Sequence, residues 1–559
     1  MHHLNNAQRV GVPLLALLGD MLRVRPVNAA EAQGFVHLQL DGVARVLCQR
    51  RMRAVYSHLT SGVRTRHNAA LSLLTSITKR NKQLAWEVFR SFDFSLKELP
   101  ALAAPRKGKN KHKSSNKDAR KDDDEKDDEK DGEDDKNSKR NSDKPCDTDV
   151  WPGVDTISLP TRHCFVFFAL ALLETGDGAL LRPVLAQRAV FGNALRHVAS
   201  DPPQLATKIL KTLRDVVLSP NGGVPPRLRA ALCGDSTLEQ MCAISGTDAD
   251  PEDDESRAEA CSLAHDVLSE VCLDPAHGVC PQSALGRWMP PEERTESDRG
   301  NVADRNKSDV SSSVKRSATL IRLLRKLRPT ESIKHAELLL NICEQRPIIA
   351  ALYLPHATYS LDPRPSVPWL AAAALLGEVA VCASVDPTPP HVPPDSPGDA
   401  EGTAFVKAAM PASMTKQGLT KGLTHTSGLV RHATLTLLLR VLCAVRRRVA
   451  RLDECAAAAE STSGGEDGAY TSNAASAAFT ALAQRARGAA VAVLPEPQAL
   501  LAVLATKTPS TTDSGESGMN RIHALNALAE YCELVGPDAL AEANIDPMKT
   551  LPAEPLELP

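Results

Sequence analysis

Cys261, His265, Cys272, His277 and Cys280 are the residues of this 559-residue chain whose types and spacing come nearest to a chemical site. Thiolate and imidazole are preferred ligands of zinc, which asks for four of them converging tetrahedrally. Cys261 and His265 stand four apart, which sets both on one face of a helix, and His277 and Cys280 have finger-like spacing. The gaps between the pairs are irregular, and no Gly-rich knuckle frames either. Helix-buried thiols beside a Cys/His-rich loop account for the same residues, so the sequence leaves zinc binding open and assigns no metal ligand. The chain contains no P-loop, G-x-G-x-x-G, G-x-S-x-G or H-E-x-x-H. Nothing nominates a catalytic residue or a cofactor, and the expectation is a protein that is not an enzyme.

Cationic side chains are the other candidates. Arg322, Arg325 and Lys326 lie in RSATLIRLLRKLR (Arg316–Arg328), and Arg446, Arg447 and Arg448 lie in RVLCAVRRRVAR (Arg440–Arg451). An arginine-rich helix face can hold RNA phosphates, which supply most of non-specific affinity. It can equally be a solvated face whose stems cover a neighbouring helix. A third group sits in RKGKNKHKSSNKDARK (Arg106–Lys121), with Lys107, Lys109, Lys111 and Lys113; eight Lys/Arg against one Asp make it about +7. DDDEKDDEKDGEDD (Asp122–Asp135) follows, at about −9 from eleven acidic and two cationic side chains. A tract of this composition cannot bury enough apolar surface to offset its ordering entropy, so disorder is expected and its use lies in interaction or solvation.

The elements that would carry these residues read as helices. Hydrophobic residues make up 42% of the chain but aromatics only 3%, so the apolar mass is Ala, Leu and Val. That composition favours helices over a β-sandwich. Apolar residues recur near i, i+3, i+4 and i+7 in segment after segment, with Pro, Gly and Ser/Thr/Gly breaks between them. In the C-terminal part the pattern predicts two helices, near 474–505 and 519–535. The thirteen cysteines are scattered among apolar positions, as free thiols of a reducing compartment would be. The longest apolar run noted, Cys164–Leu173, is half a membrane span and reads as a buried helix of a soluble, intracellular protein. A net charge of −2 leaves no global field toward nucleic acid or membrane.

The fold class expected is all-α: an α-solenoid of HEAT/armadillo-like helical pairs interrupted by disordered charged and polar loops. The organisation expected is N-terminal helical repeats over 1–104, a disordered basic-then-acidic tract over 105–158 and helical repeats over 159–288. A disordered polar insertion at 289–315, helical repeats at 316–385 and a Pro-rich linker at 386–403 follow. C-terminal helical repeats with flexible loops span 404–545, and a disordered tail spans 546–559. One internal echo supports the repeat reading: TSGVRTRHNAALSLL (Thr60–Leu74) and TSGLVRHATLTLLL (Thr426–Leu439) share a turn Gly, an Arg, then an Ala/Leu-rich seam.

Four segments in order resemble the N-terminal domain of the nucleolar pre-ribosomal-associated protein 1 family. They are FRSFDFSLKELPAL (Phe89–Leu102), TRHCFVFFALALLETGDGALLRPVLAQRAVF (Thr161–Phe191), YLPHATYSLDPRPSVPWLAAAALL (Tyr353–Leu376) and LTKGLTHTSGLVRHATLTLLLRVL (Leu419–Leu442). The resemblance implies a non-catalytic helical scaffold of the nucleolus, acting in early assembly of the large ribosomal subunit and maturation of large-subunit and 5.8S rRNA. It implies pre-ribosomal particle proteins, pre-rRNA, small nucleolar RNPs and a DEAD-box helicase as partners, with no membrane. Members of that family are longer chains, so the sequence is expected to correspond to their N-terminal part. The alternative is a HEAT-like protein–protein adaptor without RNA contact.

Overall fold

The structure is a computed structural model and describes residues 11–23, 35–105, 158–247, 254–277, 279, 318–385, 399–461, 469–505 and 514–536. Outside them lie the charged tract with Lys107, Lys109, Lys111 and Lys113, the insertion at 289–315, residues 386–398, the tail, and Cys280. Every regular element among the described residues is helical, as the composition predicts. The chain divides into two compact units, Met1–Val224 and Pro225–Pro559.

The first unit contains α1 (Val12–Arg23), α2 (Phe35–Arg50), α3 (Met52–Leu59), α4 (Arg64–Arg80), α5 (Lys82–Ser91), α6 (Leu99–Ala103), α7 (Thr161–Thr175), α8 (Gly178–Ala186), α9 (Arg188–Leu195) and α10 (Pro203–Thr212). Its centre is α4, packed between α1 and α7. Every residue from Asn68 to Thr78 is buried, so this helix is enclosed on all sides despite its hydroxyls. It tolerates them because Thr75, Ser76 and Thr78 donate to the carbonyls of Leu71, Ser72 and Leu74 at 2.8–3.0 Å, which satisfies these three hydroxyls within the helix. Asn81 accepts from Leu84 N at 2.8 Å and caps α5, and Asp177 caps α8 in the same way.

Arg162, in the first turn of α7, is the principal polar tie. Its Nε and Nη2 donate to the two Asp201 carboxylate oxygens at 2.6 Å each, with the side chains only 3% and 2% exposed. The remaining donors reach Ala103 O at 2.5 Å and Ala194 O at 2.9 Å, so one guanidinium joins α6, α7, α9 and the turn before α10. At the other end of α4, Arg80 holds Asp41 and His37 O.

The second unit contains α11 (Pro226–Leu232), α12 (Asp235–Ser245), α13 (Glu255–Leu273), α14 (318–324), α15 (Ile333–Gln345), α16 (Pro347–Tyr353) and α17 (Val367–Ser384). It continues with α18 (Asp399–Lys407), α19 (Lys416–Leu423), α20 (Gly428–Ser461), α21 (Ala469–Val493), α22 (Pro497–Ala505) and α23 (Ser514–Val535). Packing runs in chain order: α12 on α13, α13 on α15, α15 on α17, α17 on α20, and α20 on α21 and α23. Within each unit this stepwise stacking of helices is the arrangement of an α-solenoid.

Three expectations need correction. The single helix predicted near 474–505 is two, α21 and α22, bent by 53° at Leu494–Pro495–Glu496, because two prolines flanking Glu496 cannot continue the ladder. Helix α18 begins at Asp399, inside the stretch read as linker; its Phe405 and Val406 are buried and the helix packs on α21. Cys164–Leu173 is indeed a buried helix, yet α17 and α20 are longer and apolar enough to cross a membrane by length and composition. Half of each apolar window is buried within the fold, and the two helices pack on each other, which accounts for their hydropathy.

The eleven cysteines of the described residues are all free. Burial pushes the thiols of Cys164 and Cys233 up to about 12, and those of Cys48, Cys242 and Cys382 up to about 11. Burial likewise depresses His67, His163, His265 and His523 below the ordinary histidine range. A histidine whose folded pKa lies below its unfolded value contributes stability that is present above the unfolded value, near 6.5, and lost as pH falls through the folded one. The melting midpoint followed by circular dichroism is therefore expected to drop between about pH 7 and about pH 5.5, where carboxylates are still ionised. A flat midpoint would show that these imidazoles take up protons without opening the fold.

Candidate interaction surfaces

Cys261 and His265 do share a face of α13, and that face looks at α15. Lys334 Nζ donates to Cys261 Sγ at 3.3 Å, while the thiol lies 3.2 Å from the carbonyls of Ser245 and Thr247. The same Lys334 charge adds to burial in lowering His265. An ammonium thus occupies the side of the helix where a cation ligand set would need open space. Cys272 is buried, and His277 sits elsewhere, with Arg229 Nη1 at 3.4 Å from Nδ1 and Glu270 Oε1 at 3.3 Å from Nε2. Among the described residues no three His, Cys, Asp or Glu side chains converge as a metal-ligand set.

A buried histidine instead organises this region. His335 Nδ1 accepts from Arg328 N at 3.1 Å, and Nε2 lies 3.1 Å from Cys242 O and 3.0 Å from Ser245 Oγ. With the first nitrogen accepting, the proton belongs on Nε2, which donates to the carbonyl. Gly246 lies close against the ring: a Cβ there would come within 2.4 Å of His335 Cε1. This joint fixes the end of α12 against the turn that follows α14, and so fixes the cations that α14 carries.

Those cations are shared with α12. Arg322 pairs with Asp235 at 2.9 Å and Lys326 with Glu239 at 3.0 Å, all four side chains more than half exposed. Exposed pairs of this kind contribute about 0–1 kcal/mol, so a phosphate can compete for either cation at small cost. Arg325 is exposed and has no ion-pair partner among the described residues.

On α20 the three consecutive arginines have three fates. Arg446 pairs with Glu530 and with Glu533 at 3.1 Å, tying α20 to α23. Arg447 is exposed, with no ion-pair partner among the described residues. Arg448 is turned inward, 9% exposed, donating to Ala383 O at 3.0 Å with its guanidinium 4.6 Å from the centre of the Phe405 ring. It therefore belongs to the core, and its candidacy as a contact residue is corrected. Arg440 also reaches back, to Glu378 on α17 at 2.5 Å, its stem lying across Gly377 where a Cβ would meet it at 2.9 Å.

The structure adds residues that the reading of basic segments passed over. Arg45, Arg50, Arg51 and Arg53 are all exposed at the junction of α2 and α3. The signal was present as RVLCQRRMR, a run of cations without an acid.

Stacked helices whose edges carry ion pairs, exposed arginines and apolar faces define a helical-repeat protein. The chain belongs to the Npa1 family: residues 3–372 match the family model described as "Ribosome 60S biogenesis N-terminal". Of the segments that carried the resemblance, Phe89–Leu102 and Thr161–Phe191 lie inside this match. Tyr353–Leu376 straddles its end and Leu419–Leu442 lies beyond it. Membership implies a role in biogenesis of the 60S ribosomal subunit, association with pre-60S particles, and a nuclear or nucleolar site. No curated protein matches the chain. Among solved structures, a crystal structure of an engineered protein is similar at 12% identity and a TM-score of 0.22, covering 92% of this chain and 98% of that one. A multiply substituted Kap121p is similar at 11% identity and a TM-score of 0.23, covering 97% of this chain and 52% of that one.

Proposed function

We propose that this chain is a non-catalytic helical scaffold in early assembly of the large ribosomal subunit, acting in the nucleolus on maturation of large-subunit and 5.8S rRNA. The match of residues 3–372 to a 60S biogenesis family carries this reading. In it, stacked helix faces hold pre-ribosomal particle proteins, while cations at the edges meet pre-rRNA. Arg325 and Arg447 are the unpaired contacts, Arg322, Lys326 and Arg446 exchange a carboxylate for a phosphate, and Lys107, Lys109, Lys111 and Lys113 add a sequence-independent attraction. Small nucleolar RNPs and a DEAD-box helicase are further partners in this reading.

A second reading has one observation in its favour. Arg322, Lys326, Arg440 and Arg446 already face carboxylates of neighbouring helices, as they would in an adaptor that binds proteins alone. Tagged protein purified at modest salt separates the two. The scaffold reading expects enrichment of large-subunit precursor rRNA, reduced severalfold by Arg325→Glu with Arg447→Glu and falling steeply with added salt. Recovery of pre-60S proteins with background RNA at every salt concentration would leave the adaptor in its place.

A further inference from the structure

Arg45, Arg50, Arg51 and Arg53 fall within nine residues, and none has an ion-pair partner among the described residues. Among the described residues, the carboxylates on and beside α2 have partners other than these arginines. Asp41 holds Arg80 and Asn81, and Glu87 on α5 accepts from Gln49 Nε2 at 3.4 Å. The arrangement thus differs from that of Arg322, Lys326, Arg440 and Arg446, each of which faces an acid of a neighbouring helix.

One face of α2 is apolar and also carries Arg50, whereas Arg45 and the 58% exposed Leu38 lie about 160–180° around the helix from Val36. Val36, Val43 and Val46 are 65%, 42% and 50% exposed, and their spacing of seven and three places them on one face. Ala44 and Cys48, on the opposite face, are buried at 0% and 2%, so the helix already has its own core contact and the valine row is surplus to it. Single exposed apolar residues are ordinary, whereas a row along one helix face marks a surface that another molecule covers.

We propose that this face docks an acidic amphipathic helix of another protein. Its apolar side seats on Val36, Val43 and Val46, and its flanking carboxylates meet Arg50 and Arg53. Helix-on-helix seating through i, i+3, i+7 anchors is a recurrent mode of recognition, and the cations fix orientation and reject basic competitors. RNA fits less well. Phosphates use the arginines but gain nothing from three valines, and from Val36 to Arg50 the helix has no Phe, Tyr or Trp on which a base could stack. The inference goes beyond the scaffold reading and holds whether or not Arg325 and Arg447 touch RNA.

The test uses the full chain and three fluorescent probes read by anisotropy. One is an 18-residue peptide with leucines on one helical face and glutamates flanking them. The second is the same composition with the face scrambled, and the third is an oligouridylate. The first is expected to bind at least ~10-fold more tightly than the scrambled peptide. It should weaken at least ~10-fold both in Arg50→Glu with Arg53→Glu and in Val43→Ser with Val46→Ser. All four positions are exposed, so the variants should keep the parent melting midpoint. Equal binding of both peptides, or binding indifferent to the valines, would reduce the face to a non-specific charge patch and overturn the proposal. Preference for the oligouridylate, lost in the arginine variant, would make it a phosphate surface instead. No binding of any probe would also overturn it.

Discussion

Replacing Asp201 with alanine is expected to destabilise the first unit by about 3–5 kcal/mol, because it strands the Arg162 guanidinium in the core. The pair is bidentate at 2.6 Å and nearly sealed from water, at 3% and 2% exposure. The backbone carbonyls that also face Arg162, those of Ala103, Asn193 and Ala194, cannot neutralise its charge once the carboxylate is gone. Arg162→Met is expected to be costly as well, since it leaves the Asp201 carboxylate buried without its cation. Combining Arg162→Met with Asp201→Leu should recover most of the loss, as buried ion pairs often exchange for apolar pairs without penalty. Chemical denaturation of the three variants decides it. If the double variant is as unstable as Asp201→Ala, the joint depends on the hydrogen bonds to Ala103 and Ala194 rather than on charge balance.

Leu438→Ala should have a comparable effect in the second unit, about 2–5 kcal/mol from lost transfer energy plus the cavity left behind. Leu438 is 0% exposed on α20, the helix against which α17, α21 and α23 all pack. A helix held from three sides cannot collapse into the gap, which places the expected cost toward the upper end. Leu429→Ala, on the same helix but 50% exposed, should shift the denaturation midpoint little. Equal effects at the two positions would mean that α20 is not the unit's centre.

Much of this fold was legible because burial leaves a periodic mark. The two echo segments, Thr60–Leu74 and Thr426–Leu439, open α4 and α20, the helices on which each unit is centred, since a central helix needs small and apolar residues on more than one face. What a single helix cannot announce is its neighbour. Cys261 and His265 were placed on one face by their spacing, but the ammonium that meets Cys261 comes from Lys334, 73 residues away. Arg447 and Arg448 are adjacent in sequence and differ by about 100° around the helix, enough to send one to solvent and the other under Phe405. The arginines at Arg45–Arg53 escaped notice because a helix boundary divides them, with Arg51 lying between α2 and α3.

Because each helix packs on partners at most a few helices away in the chain, such as α1 on α4, α4 on α7, α17 on α20 and α20 on α23, cooperativity is a local property here. A defect in one layer lowers the free energy of opening that layer and its neighbours, and the rest retains its protection. A melting curve from one probe therefore reports the layer to which that probe is attached. The same locality explains how this chain carries a 52-residue charged stretch, 106–157, between α6 and α7 without breaking the stack. Layers that need only their immediate neighbours constrain the length of the connection between them very little, so such stretches can lengthen or change charge in evolution while the helices stay in register.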